Sequence, residues 1–270
     1  MKLGITVSTF KTQFGPIIFR GGNIKEDLKN IRQLGYEGVD LFIDRKSNSE
    51  LEELGKLFKE ENIEIPMMLA IFLAEIGVNL SNKDKAKRIE GIEEYKKQIL
   101  CAEKIGAKRM AVGFLRGMKD EGVSLQQHYE LLADSLRDLS DFSANHGVTI
   151  CLEPINRYEV NNINTVGQCV DFINEYDLPK IKILADTFHM NIEDASVQDS
   201  IIKAGSMIEH IHIADSNRLV PGKGHFDFDS FLGALKEINY KNYLNVEAFS
   251  GDDILKNSED AIKFMKSKIY

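Results

Sequence analysis

The apolar residues of the chain follow two different spacings, and each spacing predicts a different kind of element. Short, mostly apolar runs are typical of buried strands. Between these runs, apolar residues recur every three or four positions, as in Ile24, Leu28 and Ile31, which predicts amphipathic helices. The predicted strands are eight runs at residues 1–9, 38–42, 63–69, 110–114, 148–152, 181–185, 208–214 and 243–246.

A helix or a loop follows every predicted strand. Gly35 and Gly106 stand at predicted helix ends, where glycine readily adopts the left-handed conformation. No change in composition divides the chain into parts. Regular alternation of strands and helices predicts a parallel sheet, and eight units predict its closure. We therefore expect an α/β protein, a single (β/α)8 TIM barrel that spans residues 1–270 as one domain.

The composition and net charge of the chain indicate which kinds of molecule it can bind. The chain has 270 residues, 43% of them hydrophobic, which is enough for a full core. Its formal net charge of -8 argues against a binder of nucleic acid or of acidic membranes, since both require a basic surface. The sequence has no signal-peptide pattern and no apolar run of about 18 residues. We expect a soluble, cytoplasmic protein that binds a small molecule.

Four side chains with metal-binding chemistry stand at the ends of the last four predicted strands: Glu153, Asp186, His212 and Glu247. Their successive spacings of 33, 26 and 35 residues are each close to one βα unit. Strand ends meet at one rim of a barrel, so the four side chains should converge. Three carboxylates and an imidazole suit one divalent cation, with Mn²⁺ favoured and Co²⁺, Mg²⁺ or Zn²⁺ as alternatives. The competing interpretation is that these are unrelated helix caps and core polar groups, and the cap is most plausible for Asp186.

His210 and His212 lie two residues apart on one predicted strand. Both rings should therefore point to the same side of that strand. We assign His212 to the metal because it is nearer the C-terminal end of the strand. For His210 we expect a hydrogen-bonded role in the core.

Four longer segments read LEPINRYE at 152–159, DTFHMNIE at 186–193, HIADSNRLVPGKGH at 212–225 and NVEAF at 245–249. They resemble the ketose 3-epimerases, which belong to the xylose isomerase-like sugar isomerase/epimerase superfamily. The superfamily also includes keto-gluconate epimerases, and D-tagatose/D-psicose 3-epimerases are among the ketose 3-epimerases. The likeness is strongest from Val148 to Phe249 and only architectural before it.

The resemblance implies a role for each matched residue. It implies metal binding by the four strand-end residues, and it makes Glu153 and Glu247 the acid/base pair as well. It also implies that three further residues hold the sugar near C1 and C2, namely Glu159, His189 and Arg218. The segment around Arg116 has a weaker resemblance to the keto-acid epimerases of the family. This resemblance implies that the guanidinium pairs with a substrate carboxylate. A surface charge is the alternative for Arg116.

The implied reaction is metal-dependent epimerisation of a ketose or keto sugar acid at the carbon next to the carbonyl, of the C3 type, through a cis-enediolate. A homo-oligomer, either a dimer or a tetramer, is also implied. An aldose–ketose isomerase would use the same site, and a non-catalytic sugar-binding protein is a further alternative. A DNA-repair endonuclease of related fold would need additional histidines on strands three and four, where the sequence has none, although His225 and Asp227 resemble part of its cluster.

Substrate choice is expected to depend on the loops at residues 10–19 and 72–78. Phe14, Phe72 and Leu73 are apolar residues of these loops. They are predicted to form a lid or a subunit contact, with core packing as the alternative.

Overall fold

Eight parallel strands close into a barrel in sequence order, in a computed structural model that describes residues 1–12 and 15–269. Pairing of the first strand with both the second and the last closes the sheet. The predicted (β/α)8 fold is therefore confirmed. The strands are β1 (Lys2–Ser8), β2 (Gly38–Phe42), β3 (Met68–Leu69), β4 (Arg109–Val112), β5 (Thr149–Leu152), β6 (Lys182–Asp186), β7 (Ile208–Ile213) and β8 (Tyr243–Val246).

Helices surround the barrel, and two of them end as the glycine pattern predicted. Gly35 and Gly106 adopt left-handed φ values of 89° and 84°, and their N–H groups bond to carbonyls of the preceding helix. Within the described residues the α-helices are α1 (Ile24–Leu34), α2 (Asn48–Glu61), α3 (Phe72–Glu75), α4 (Lys85–Ile105), α5 (Leu125–Ala144), α6 (Val166–Glu175), α7 (Thr187–Glu193), α8 (Val197–Ala204), α9 (Phe228–Glu237) and α10 (Ile254–Ile269). None of these helices is both long enough and apolar enough to cross a membrane.

Two predicted strands differ from the observed strands by two or more residues at one end. Of residues 63–69, only Met68 and Leu69 form a strand. Pro66 has no N–H to donate to a ladder, although Met67 still accepts a hydrogen bond from β2. The fourth strand ends at Val112, because the chain then turns through a short 3₁₀ helix, Phe114–Arg116.

The predicted loop at residues 72–78 begins with the short helix α3. Phe72 and Leu73 are both buried and belong to the main hydrophobic core, so core packing is the correct interpretation for this pair. Phe14 lies outside the described residues.

The interior of the barrel is divided into an apolar part and a polar part. Asp40 on β2 contacts His210 and His212 on β7, although two other strands separate β2 from β7 along the sheet. The contact therefore crosses the interior of the barrel. Side chains of β2 to β6 and of the segments before β3 and α1 form a compact apolar cluster that consists of Ile17, Phe42, Met67, Leu69, Ala111, Cys151 and Leu184.

Candidate active site

The four predicted metal ligands converge at the C-terminal rim of the barrel. Glu153 and Glu247 directly follow β5 and β8, Asp186 is the last residue of β6, and His212 lies in β7. All four are buried, and one ligand atom from each lies within 4.8 Å of the others. The convergence expected from their spacing is therefore observed.

The two carboxylate oxygens of Asp186 have different partners. Its Oδ1 accepts a hydrogen bond from the N–H of Phe188 at 2.8 Å and so caps α7, which begins where a loop was predicted. Its Oδ2 accepts a hydrogen bond from the Arg218 guanidinium at 2.6 Å. One oxygen thus stabilises the helix while the other faces the cluster.

His212 has the features of a metal ligand. Its Nε2 lies 3.0 Å from Asp40 Oδ2, whereas Nδ1 lies 3.3 Å from Glu247 Oε2 and 4.0 Å from Glu153 Oε1. Among the described residues, Nδ1 is buried without a hydrogen-bond partner. A buried, unpaired nitrogen beside carboxylates suits a divalent cation, so the donor set fits the metal that the sequence predicts.

The two glutamates have opposite pKa shifts. Burial and the negative charge of Glu247 raise the pKa of Glu153 to about 8. Burial also acts on Glu247, but the charges of His212 and Arg218 outweigh it and lower the pKa of Glu247 to about 2. In the metal-free protein, these shifts favour a protonated Glu153 and an ionised Glu247 at neutral pH.

The pKa of Asp186 lies between those of Glu153 and Glu247. Burial and the negative charge of Glu247 raise its pKa to about 6, although Arg218 and His212 oppose the shift. Three carboxylates in one buried cluster thus have well-separated pKa values, which is common at functional sites.

Arg218 is held over the cluster by the loop that follows β7. The residue adopts a left-handed φ of 61°, and its carbonyl accepts a hydrogen bond from the N–H of Phe249 at 2.8 Å. Its guanidinium donates to Asp186 and to Glu247, each at 2.6 Å, and stacks over the ring of Phe188 at 4.6 Å. Asp215 shapes the loop by accepting hydrogen bonds from three of its N–H groups.

His189 and Glu159 are linked through Asn156, a residue to which the sequence analysis gave no role. The Asn156 amide lies 2.8 Å from His189 Nδ1 and donates to Glu159 Oε1 at 2.7 Å. Burial and the charge of Arg218 lower the pKa of His189 well below its usual value, so its ring is neutral. With Nδ1 accepting from Asn156, the ring proton lies on Nε2. Asn156 falls inside a matched motif, and that was the available signal.

Arg116 is hydrogen-bonded to the backbone beside the site. Its side chain is fully buried, so the surface-charge interpretation is wrong. The guanidinium donates to the carbonyls of Glu153, Asn162 and Ile163 and to the Asn162 side chain. A carboxylate-binding role finds no support, because these donors are committed to the protein and the residue does not line the pocket.

A cavity of about 380 Å³ opens above the cluster. Its polar lining comes from Glu153, Glu159, His189, Arg218 and Glu247. Near the first four strands the lining is apolar and includes Phe42, Leu69, Ala111 and Phe114. Gly113 also lines the cavity, and a Cβ on it would lie 2.8 Å from Glu153 Oε2. The sequence analysis gave Gly113 no role.

His225 and Asp227 lie elsewhere in the molecule. They line a separate cavity of about 310 Å³ beside α8 and α9. Within the described part of the chain, neither belongs to a group of histidines and acids close enough to share a metal ion. The residues that resembled part of an endonuclease cluster are therefore not assembled into one.

Residues 28–268 match the family model of the xylose isomerase-like TIM barrel. The chain belongs to this family. It is 27% identical over 253 residues to the 3-dehydro-D-guloside 4-epimerase of Escherichia coli, covering 91% of this chain and 95% of that enzyme. It is 29% identical over 294 residues to the D-psicose 3-epimerase of Agrobacterium fabrum, covering 97% and 96%. The family resemblance inferred from the motifs is confirmed.

A solved structure supports the assignment of the chain to this family. The apo crystal structure of the 3-keto-D-glucoside 4-epimerase from Escherichia coli superimposes with a TM-score of 0.83 at 25% identity, and the match covers 99% of both chains. The similarity therefore extends over the whole barrel, including the first strands, where the sequence motifs were weakest.

Proposed function

We propose that this protein is a metal-dependent carbohydrate epimerase that inverts the carbon next to the carbonyl of a ketose or keto sugar acid. The observation that carries the proposal is the buried cluster, in which two glutamates with opposite pKa shifts flank an unpaired imidazole nitrogen. The similarity to two carbohydrate epimerases supports it.

Glu153, Asp186, His212 and Glu247 would hold one divalent cation, for which Mn²⁺ is our first choice and Co²⁺, Mg²⁺ and Zn²⁺ are alternatives. When bound, such a cation supplies positive charge beside the negative charge that develops on an enediolate. The donors are three carboxylates and one imidazole, and their ligand atoms already lie within 4.8 Å of one another.

The protein residues would carry the proton transfers. In one direction an ionised Glu153 takes the proton from C3, the C–H electron pair enters the enediolate, and protonated Glu247 returns a proton to the opposite face. In the other direction the two glutamates exchange roles. They come from β5 and β8, on different sides of the rim, and both line the cavity, which supports a sugar lying between them.

Three further residues would position the sugar near C1 and C2. His189 offers a neutral Nε2–H donor, and Arg218 offers a charged donor already directed at the cluster. Glu159 can accept a hydrogen bond from a sugar hydroxyl, because it is exposed and lines the cavity. Arg116 is not included, since its buried donors serve the protein. The homo-oligomeric state and the cytoplasmic location stay predictions.

The test is a panel of ketohexoses and keto sugar acids incubated with Mn²⁺-loaded protein in D₂O and followed by NMR. We expect inversion next to the carbonyl with deuterium incorporated at that carbon. An aldose product would instead indicate the isomerase that shares this chemistry. Binding without turnover across the panel would favour a sugar-binding protein.

A further inference from the structure

Asp40 is a buried carboxylate in the middle of the barrel, and the proposed reaction leaves it without a role. It lies on β2 and is 0% exposed. Its Oδ2 lies 2.6 Å from His210 Nε2 and 3.0 Å from His212 Nε2. A single oxygen of Asp40 thus meets two imidazole rings of β7 across the barrel interior.

These contacts determine which His212 nitrogen carries a proton. An ionised carboxylate can only accept hydrogen bonds, so Nε2 of His212 must donate to Asp40. The lone pair of a neutral His212 ring is then on Nδ1, the atom that faces Glu153 and Glu247. The two ring nitrogens thus have different surroundings, with Asp40 beside Nε2 and the glutamates beside Nδ1.

A second metal site is the other arrangement that could bring Asp40, His210 and His212 together. The two contacts on Asp40 Oδ2, at 2.6 and 3.0 Å, have hydrogen-bond lengths, and both rings direct their Nε2 at the same oxygen. All three residues are fully buried. Two imidazole donors sharing one carboxylate oxygen explain this geometry without an ion.

We propose that Asp40 is a positioning residue that directs Nδ1 of His212 toward the metal site, with His210 holding Asp40 in place. The inference rests on the proposed function in one respect, namely that His212 is a metal ligand. A metal-bound histidine commonly donates its other ring N–H to a carboxylate, which fixes the orientation of the ring. Here that carboxylate comes from the opposite side of the barrel.

Asp40→Asn is the informative variant, because it keeps the shape and removes the charge. Its amide can present an N–H group to Nε2 of His212, which moves the ring proton to Nδ1 and blocks the ligand atom. Met67→Ala is the matched control, since Met67 is a buried interior residue on the apolar side that does not line the active-site cavity. Met67→Ala should lower the stability of the barrel without changing the hydrogen bond between His212 and Asp40.

The measurement is a Mn²⁺ titration of metal-stripped wild type, Asp40→Asn and Met67→Ala, with free Mn²⁺ followed by electron paramagnetic resonance. We expect one Mn²⁺ per chain and an affinity about 10–100-fold weaker in Asp40→Asn. Met67→Ala should keep the wild-type affinity for Mn²⁺, even if its Tm falls as far as that of Asp40→Asn. Equal affinity of Asp40→Asn and wild type would overturn the inference, as would a second Mn²⁺ that Asp40→Asn alone loses.

A spectroscopic measurement on wild type does not depend on whether Asp40→Asn folds. In Zn²⁺-loaded protein labelled with ¹⁵N-histidine, we expect His212 to carry its proton on Nε2 and the metal on Nδ1. The reverse assignment would overturn the inference. If wild type bound no divalent metal, both the proposed function and the inference would be wrong. If it bound metal with the reverse assignment, only the inference would be wrong.

Discussion

The two halves of the barrel rim share one architecture but carry different side chains. The ends of β5 to β8 bring Glu153, Asp186, His212 and Glu247 together as a buried cluster. The ends of β2 to β4 and the 3₁₀ helix after β4 line the same cavity with apolar groups that include Phe42, Leu69, Ala111 and Phe114. The first set is hereafter the ligand half and the second the apolar half.

The comparison shows that the two halves act together on the chemistry. Burial is the largest cause of the raised pKa of Glu153, and this carboxylate faces the cavity that the apolar half also lines. The ligand half supplies the charges, and the apolar half supplies the surroundings in which those charges interact strongly. Substitutions in the two halves should therefore have different kinetic consequences.

The largest effect is expected from removing either of the two proposed acid/base groups in the ligand half. Glu153→Gln and Glu247→Gln should each lower kcat by about 10²–10⁴-fold, the usual contribution of a positioned general acid or base, while much of the metal affinity remains. The rate of epimerisation and the exchange of the C3 proton with D₂O are the measurements.

Glu237→Gln makes the same chemical change on the exposed surface and serves as the control. It should leave both rates unchanged. Normal epimerisation by Glu153→Gln or Glu247→Gln without solvent exchange would contradict the two-base scheme.

Gly113 lies where the two halves meet, and a methyl group there should disturb the ligand half from the apolar side. In Gly113→Ala the added Cβ would lie 2.8 Å from Glu153 Oε2, so the carboxylate must move. We expect kcat to fall by about 10–100-fold, since a displacement of about 1 Å at a reacting group can cost that much.

Gly233→Ala is the matched control, because a Cβ at this position in α9 meets nothing within 4 Å. It should leave kcat unchanged and stabilise the protein by about 0.5–1 kcal/mol, since alanine favours a helix more than glycine does. Unchanged kcat in Gly113→Ala would show that the glycine is not needed for the Glu153 geometry.

A truncation in the apolar half should act on substrate binding and stability instead. Leu69→Ala enlarges the cavity and should cost about 2–5 kcal/mol of unfolding free energy. KM should rise while kcat falls by less than about 10-fold, because no reacting group is removed. Steady-state kinetics and Mn²⁺ affinity are the measurements, and a large loss of metal affinity would break the distinction between the halves.

The same division explains what the sequence could reveal about the site. Regular spacing of strand ends predicts the four ligands, because each βα unit returns the chain to the same rim. No local pattern predicts Asp40, since its contacts with β7 join residues 170 and 172 positions apart across the barrel. Arg116 was misread for a similar reason. Its partners at Glu153, Asn162 and Ile163 become neighbours only when β5 pairs with β4 and the loop after β5 folds against Arg116.

The smallest expected effect is a pH dependence of stability that distinguishes the ligand half from the rest of the protein. Folding raises the pKa of Glu153 from 4.5 to about 8, so its contribution is fully present below about pH 4.5 and is lost as pH rises through about 8. The Tm of metal-free wild type should therefore fall between these values relative to Glu153→Gln, whose amide does not ionise. Thermal unfolding of both proteins from pH 5 to about pH 9 measures the difference.

Mn²⁺ should reverse this dependence, because a cation stabilises the ionised carboxylate. The increase in Tm on adding Mn²⁺ to wild type should therefore grow with pH up to about 8, and it should grow less in Glu153→Gln. If the Tm of wild type and of Glu153→Gln changed with pH in parallel, both with and without Mn²⁺, the pKa of Glu153 would be normal. The apolar half would then not raise it.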